Sequence, residues 1–149
     1  MARFIVINGP NLNLLGSRNP GIYGASTLPE IEAQVSRKAE ELGVRVDFFQ
    51  SNSEGAIIDY IQSESGQAQG IIINAGALTH YGYSLRDALV DSRLPVVEVH
   101  LSNIHAREQW RRHSVIADIA RGQIAGLGWR GYVAALEILA ALVKEEESR

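Results

Sequence analysis

The chain of 149 residues has no cysteine, so disulfides, thiolate catalysis and cysteine-ligated metal are all excluded. A cytosolic protein tolerates that lack, and the cytoplasm is the expected compartment. Basic charge is in deficit: 14 Lys and Arg against 17 Asp and Glu leave a formal charge of −3. A general nucleic-acid binder needs the opposite balance to displace counterions. No apolar stretch approaches the ~20 residues of a membrane helix. The run Phe4-Ile5-Val6-Ile7 after Arg3 is too brief for a signal-peptide core. Neither nucleic acid nor membrane is an expected partner. Lysine is nearly absent as well. Only Lys38 and Lys144 occur, both late in their expected helices and opposite the strand carboxyl ends. Imine chemistry, which needs a desolvated lysine in a pocket, is therefore poorly supported. No GxSxG elbow, GxGxxG turn or P-loop is present. The four histidines show no HExxH or two-His-one-carboxylate spacing, so no metal is expected.

What is present reads as one α/β domain over residues 1–149. Short β-branched runs alternate with amphipathic segments, and strands are expected at about 3–8, 44–49, 70–74, 95–99 and 123–127. FIVI, GIIIN and PVVEVH are nearly continuous apolar runs, as suits a parallel sheet covered on both faces. Thr27-Leu28-Pro29-Glu30 is a capping box with proline in the first turn. Leu28, Ile31, Val35, Ala39 and Leu42 then mark one helical face, which Gly43 ends. Ser51-Asn52-Ser53-Glu54 repeats the capping signature ahead of Ile57, Ile58 and Ile61. Tyr132, Val133, Leu136, Leu139, Ala140 and Val143 form the core face of a last helix, and the charged run from Lys144 to Arg149 is its solvated end. Right-handed crossovers between five such strands predict a flavodoxin-like order, 2-1-3-4-5.

Residues 9–26 are too long for a strand-to-helix connection, where two to six residues usually suffice. Their four glycines and two prolines argue against regular structure and for a lid, at about 16–25. Ligands in open α/β sheets bind beyond the strand carboxyl ends, near the reversal of strand order, here between the first and third strands. The polar clusters fall at those ends: Asn8, Asn11, Asn13, Arg18 and Tyr23 after the first strand; Asn74, Thr79, His80 and Tyr81 after the third; Glu98, His100, Ser102, Asn103, His105, Arg107, Arg111, Arg112 and His113 at and after the fourth. His105 is expected to open a helix, and His105 and His113 read as capping or surface groups. A tyrosine's ordinary pKa of about 10 makes it a poor base, but nearby guanidinium groups favour the phenolate. Such a group facing hydrogen-bond donors suits proton abstraction next to a carbonyl.

Asn8-Gly9-Pro10-Asn11-Leu12-Asn13-Leu14-Leu15-Gly16, with Arg18, Pro20, Tyr23 and Gly24, resembles the N-terminal signature and lid of the type II dehydroquinases. Asn74-Ala75-Gly76-Ala77-Leu78-Thr79-His80 and Arg86-Asp87-Ala88 resemble their second motif. The stretch from Pro95 to Glu108 resembles the third. The likeness spans nearly the whole chain, in order. It implies elimination of water from 3-dehydroquinate through an enolate, without metal or cofactor, in aromatic biosynthesis or quinate breakdown. By position it implies Tyr23 as the base, with Arg18 and Arg107 favouring its ionisation, and Asn11 as holder of a water against the enolate oxygen. His100, supported by Asn74, is implied as the general acid. Leu101 (through its backbone N–H) and Ser102 are implied to anchor the substrate carboxylate. His80 and Arg111 are implied to bind ring hydroxyls, with Asp87 supplied by a neighbouring subunit of a homododecamer, a tetramer of trimers. Glu98, on the same strand face as His100, is given an orienting role. Trp110 departs from the phenylalanine common in the family, and Tyr81-Gly82-Tyr83 lies where the family varies. Two other readings compete: a flavin or nucleotide protein using the same switch point, and a module that binds cyclic hydroxy-acids without turnover.

Overall fold

A computed structural model describes residues Met1–Arg149. Five strands, β1 (Arg3–Asn8), β2 (Arg45–Gln50), β3 (Gly70–Asn74), β4 (Val96–His100) and β5 (Gly122–Ala125), form one sheet. All pairings are parallel and the order is β2-β1-β3-β4-β5, the flavodoxin-like order expected. A single helical turn, α1 (Pro20–Tyr23), precedes the longer helices α2 (Leu28–Leu42), α3 (Glu54–Glu64), α4 (Tyr83–Ser92) and α5 (Arg130–Glu147).

Alternation along the central strands divides the core into two layers. Phe4 and Val6 of β1, Ile72 of β3 and Val97 and Val99 of β4 pack with Leu28, Ile31 and Val35 of α2 and Tyr132, Leu136 and Leu139 of α5. The intervening residues Ile5, Ile7, Ile71, Ile73 and Val96 pack on the opposite face with Ile57 and Ile61 of α3 and Leu85 and Leu89 of α4. This parity decides which way each polar residue at a strand's carboxyl end points. It sends Asn8 and Asn74 toward α5, and Glu98 and His100 toward the α3–α4 side.

The helix starts follow their sequences with two differences. Thr27 Oγ1 accepts the Glu30 N–H at 3.3 Å, but the Glu30 carboxylate meets the Thr27 hydroxyl instead of its backbone N–H. At α3 the cap is Ser53, whose hydroxyl accepts from Ala56 N–H at 3.2 Å. Glu54 is thereby free to serve a different helix. Its carboxylate accepts the Leu85 N–H at 3.0 Å and caps the neighbouring α4, whose own N-cap Gly82 has no side chain to do so.

Two stretches depart from expectation. Residues 9–26 are not wholly irregular, since Leu12–Leu14 make a 3-10 turn and Pro20–Tyr23 the α1 turn. Proline at the first helical position supplies a preset φ, and the buried Leu12 and Leu15 pin the first half of the segment to the core. The connection from β4 to β5 holds no α-helix at His105. Asn103 Oδ1 accepts the His105 N–H at 3.1 Å, but only 3-10 turns at Ile104–Ala106 and Gln109–Arg112 follow. From His105 to His113 the one large apolar residue, Trp110, is exposed, so a helix there would have no face to bury.

The loops after β1 and β3 run almost in contact. A Cβ built on Gly9 lies 2.4 Å from the Ala75 carbonyl oxygen, a backbone atom that cannot swing aside. Glycine at position 9 is what allows both loops to reach the same side of the sheet.

Removing the borrowed cap should weaken the α3–α4 layer. Glu54→Ala is expected to lower unfolding free energy by about 1 kcal/mol, read from urea midpoints. An unchanged midpoint would mean that the contact contributes nothing.

Candidate active site

The carboxyl ends of β1, β3 and β4 open into a cavity of about 150 Å³. This volume is small beside the ~300–1,000 Å³ of drug-sized ligand sites, and suits a compact polar molecule. Arg18 and Tyr23 line it from the first loop, Asn74 and His80 from the β3 side, and His100, Leu101, Ser102, Arg107 and Arg111 from β4 and the segment after it. Asn11 also lines it. Its backbone sits at φ 71°, held by an N–H bond to Asn52 Oδ1 at 3.0 Å, and its side-chain amide has no protein partner.

Tyr23 rides at the end of α1 with two cations around it. Arg107 Nη1 donates to the Tyr23 hydroxyl at 2.9 Å and reaches Ser102 Oγ at 3.5 Å. The guanidinium carbons of Arg18 and Arg107 lie 4.8 and 5.1 Å from the Tyr23 ring centroid. The Arg107 Nε is buried and has no protein acceptor.

On the α3–α4 face, Glu98 is fully buried yet surrounded by donors. His100 Nε2 lies 2.6 Å from Glu98 Oε2, which leaves Nδ1 as the ring nitrogen without a protein partner. Thr79 and Ser114 hydroxyls donate at 2.9–3.0 Å, and Gln123 Nε2 donates at 3.1 Å. Burial, the largest single influence, pushes the Glu98 carboxyl up. The contacts with His100, Ser114 and Thr79 together outweigh it and hold Glu98 below the usual carboxylate range.

His80 Nδ1 lies 2.7 Å from the His113 carbonyl, which only a protonated Nδ1 satisfies. Burial is the main reason that its imidazole titrates below the ordinary range, so Nε2 remains an acceptor near neutral pH. Trp110 stands edge-on to His80, with centroids 5.1 Å apart, and carries the Arg111 guanidinium 4.1 Å above its ring. Arg111 Nε also donates to Glu108 at 2.7 Å. The N–H groups of Leu101 and Ser102 find no acceptor in the protein, and together they form a pair of free donors at the end of β4.

One residue stands elsewhere than the resemblance implied. Asn74 does not reach His100: its Nδ2 donates to the Tyr132 hydroxyl at 2.8 Å, and its Oδ1 accepts the Gly76 N–H at 3.2 Å. Strand parity is the reason, because Asn74 faces α5 while His100 faces the other layer. Asp87 is exposed on α4 and does not line this chain's cavity. His105 and His113 are exposed, and no three His, Asp or Glu side chains converge as a metal cluster. Lys38 pairs with Glu41 and Glu137, far from the cavity lining. Ser114 and Gln123 belong to the buried cluster although neither stands out in the sequence. Both lie in segments with no motif, and only the fold brings them to Glu98.

Residues 2–140 match the family model for class II dehydroquinase. The chain belongs to the type II dehydroquinases. It is 57% identical over 137 residues to a 3-dehydroquinate dehydratase of Roseiflexus castenholzii, covering 92% of this chain and 87% of the relative. It is 53% identical to a catabolic 3-dehydroquinase of Aspergillus clavatus, covering 97% and 96% of the two chains. The crystal structure of a type II dehydroquinase from Propionibacterium acnes superposes with a TM-score of 0.91 at 41% identity, over 95% of this chain and 97% of that one. Dehydroquinases named for catabolism thus resemble this chain about as closely as those named simply as dehydratases.

The donors around Glu98 carry a pH signature. Its folded pKa lies below the unfolded value of about 4.3, so its stabilisation is complete above that pH and lost as pH falls through the folded value. Glu98→Gln is expected to be less stable than wild type by about 2 kcal/mol at pH 7, a gap that narrows below about pH 4. Urea unfolding at both pH values measures it, and a constant gap would contradict an ionised Glu98.

Proposed function

We propose that this dehydroquinase removes water from 3-dehydroquinate through an enolate, with Tyr23 as base and His100 as acid. The 3-dehydroquinate dehydratase activity follows from the family. The single observation that carries the assignment of the base is the 2.9 Å bond from the Arg107 guanidinium to the Tyr23 hydroxyl. A cation donating to that oxygen stabilises the phenolate over the phenol. Arg18, over the same ring, adds a second positive charge.

The phenolate takes a proton from C2 of the substrate, and the electron pair moves onto the C3 carbonyl oxygen. A water held by the free Asn11 amide donates to that enolate oxygen. As the carbonyl re-forms, the C1–oxygen bond breaks. Protonated His100 delivers its proton to the departing hydroxyl, and water and the conjugated enone 3-dehydroshikimate result. Glu98, bonded to Nε2, orients the ring so that Nδ1 serves the cavity and compensates the imidazolium charge. The free N–H groups of Leu101 and Ser102 suit a carboxylate, and His80 Nε2 and Arg111 suit ring hydroxyls. Asp87, exposed and outside this cavity, is assigned to the site of a neighbouring copy in a homododecamer.

Tyr23→Phe keeps the ring and removes the base, so kcat should fall by about 10²–10⁴ while KM changes little. Near-normal kcat would overturn the assignment. His100→Ala should slow elimination more than exchange of the C2 proton with solvent deuterium, followed by NMR. Equal losses would mean that His100 is not the leaving-group acid.

A further inference from the structure

Tyr132 falls on the core face of the last helix, and its ring is wholly buried against the sheet. Its hydroxyl is placed less ordinarily. Asn8 and Asn74 are direct partners across the β1–β3 ladder, at the last position of each strand, and both face α5. The Tyr132 hydroxyl donates to Asn8 Oδ1 at 2.6 Å and accepts from Asn74 Nδ2 at 2.8 Å. All three residues are at most 3% exposed.

The Gly76 N–H sets the order of donation. Asn8 Oδ1 is an acceptor only, so the Tyr132 proton must point to it. The hydroxyl oxygen then requires a donor, and only the NH₂ end of the Asn74 amide supplies one. The Asn74 Oδ1 is left to accept the Gly76 N–H at 3.2 Å. Of the polar hydrogens on Asn74, one remains unused within the protein, and Asn74 lines the cavity. Were the Asn74 amide reversed, its NH₂ would face the Gly76 N–H, a clash of two donors. Burial keeps the Tyr132 phenol protonated, well above the ordinary tyrosine range, so the chain of bonds persists at any working pH.

We propose that Tyr132 is a positioning residue for catalysis: through the Asn8–Tyr132–Asn74 chain it sets the orientation of the Asn74 amide, so that one N–H is presented to the substrate. The proposal rests on the dehydroquinate reading of the cavity and deepens it. Tyr132 touches no reacting atom. It acts from a helix that contributes no group to the cavity lining.

The test is a double-mutant cycle in kcat/KM for 3-dehydroquinate, using wild type, Tyr132→Phe, Asn74→Ala and both together, with melting temperatures recorded alongside. Tyr132→Phe alone should lower kcat/KM by about 10- to 100-fold. In the Asn74→Ala background it should cost almost nothing further, although it still lowers the melting temperature. Additive losses, or full activity in Tyr132→Phe, would overturn the proposal. If Tyr132→Phe does not fold, Asn8→Ala frees the hydroxyl to turn and takes its place in the same cycle, with the same two outcomes. A wild-type enzyme without turnover would overturn the reading of the cavity and this proposal together. An active wild type with additive losses would overturn this proposal alone.

Discussion

A guanidinium anchored beyond one strand donates to a phenol carried on the loop of another, 84 residues away in sequence. The geometry of this contact, Arg107 to Tyr23, is the constraint on which the site depends. It requires the segment after β4 and the loop after β1 to meet above the sheet. Between them lies β3, whose following loop passes within backbone contact of Gly9. The same contact of Arg107 with Tyr23 places positive charge at the Tyr23 hydroxyl oxygen.

The two faces of the sheet divide the polar work. One carries Glu98, His100, Thr79 and Ser114, a cluster in which a buried carboxylate accepts from every side. A negative charge with that many donors resists protonation despite its burial, and it holds the imidazole by one nitrogen. The other face carries Asn8, Asn74 and Tyr132, a neutral chain. Strand parity keeps the two apart until the strands end, and only there do their free ends converge on one small cavity. His100, Leu101 and Ser102 thus come from the end of a rigid strand, while the first loop supplies Tyr23 and Arg18.

Much of this was legible from the residues. Strand order followed from apolar runs separated by capped amphipathic segments, and the site's location followed from where polar residues cluster. What was hidden depended on side-chain direction and distant partners. The signature at Ser51–Glu54 marks the start of α3, but the cap is Ser53 and Glu54 serves α4, a partner that no local pattern names. His105 lost its helix because the residues after it offer no apolar stripe. Asn74 turns from His100 because strand parity sends the two side chains to opposite faces of the sheet. Tyr132 sat on an apolar face, and nothing in that face marks its hydroxyl as part of a polar chain. Ser114 and Gln123 reach Glu98 only through the β4–β5 crossover.

The central claim is that these side chains alone dehydrate 3-dehydroquinate in this cavity. Its most direct test is to add 3-dehydroquinate to purified, chelator-treated protein and to follow the ultraviolet absorbance of the conjugated enone. A protein-dependent rise that survives the chelator is the predicted result. Folded protein that gives no rise over a range of pH would contradict the claim.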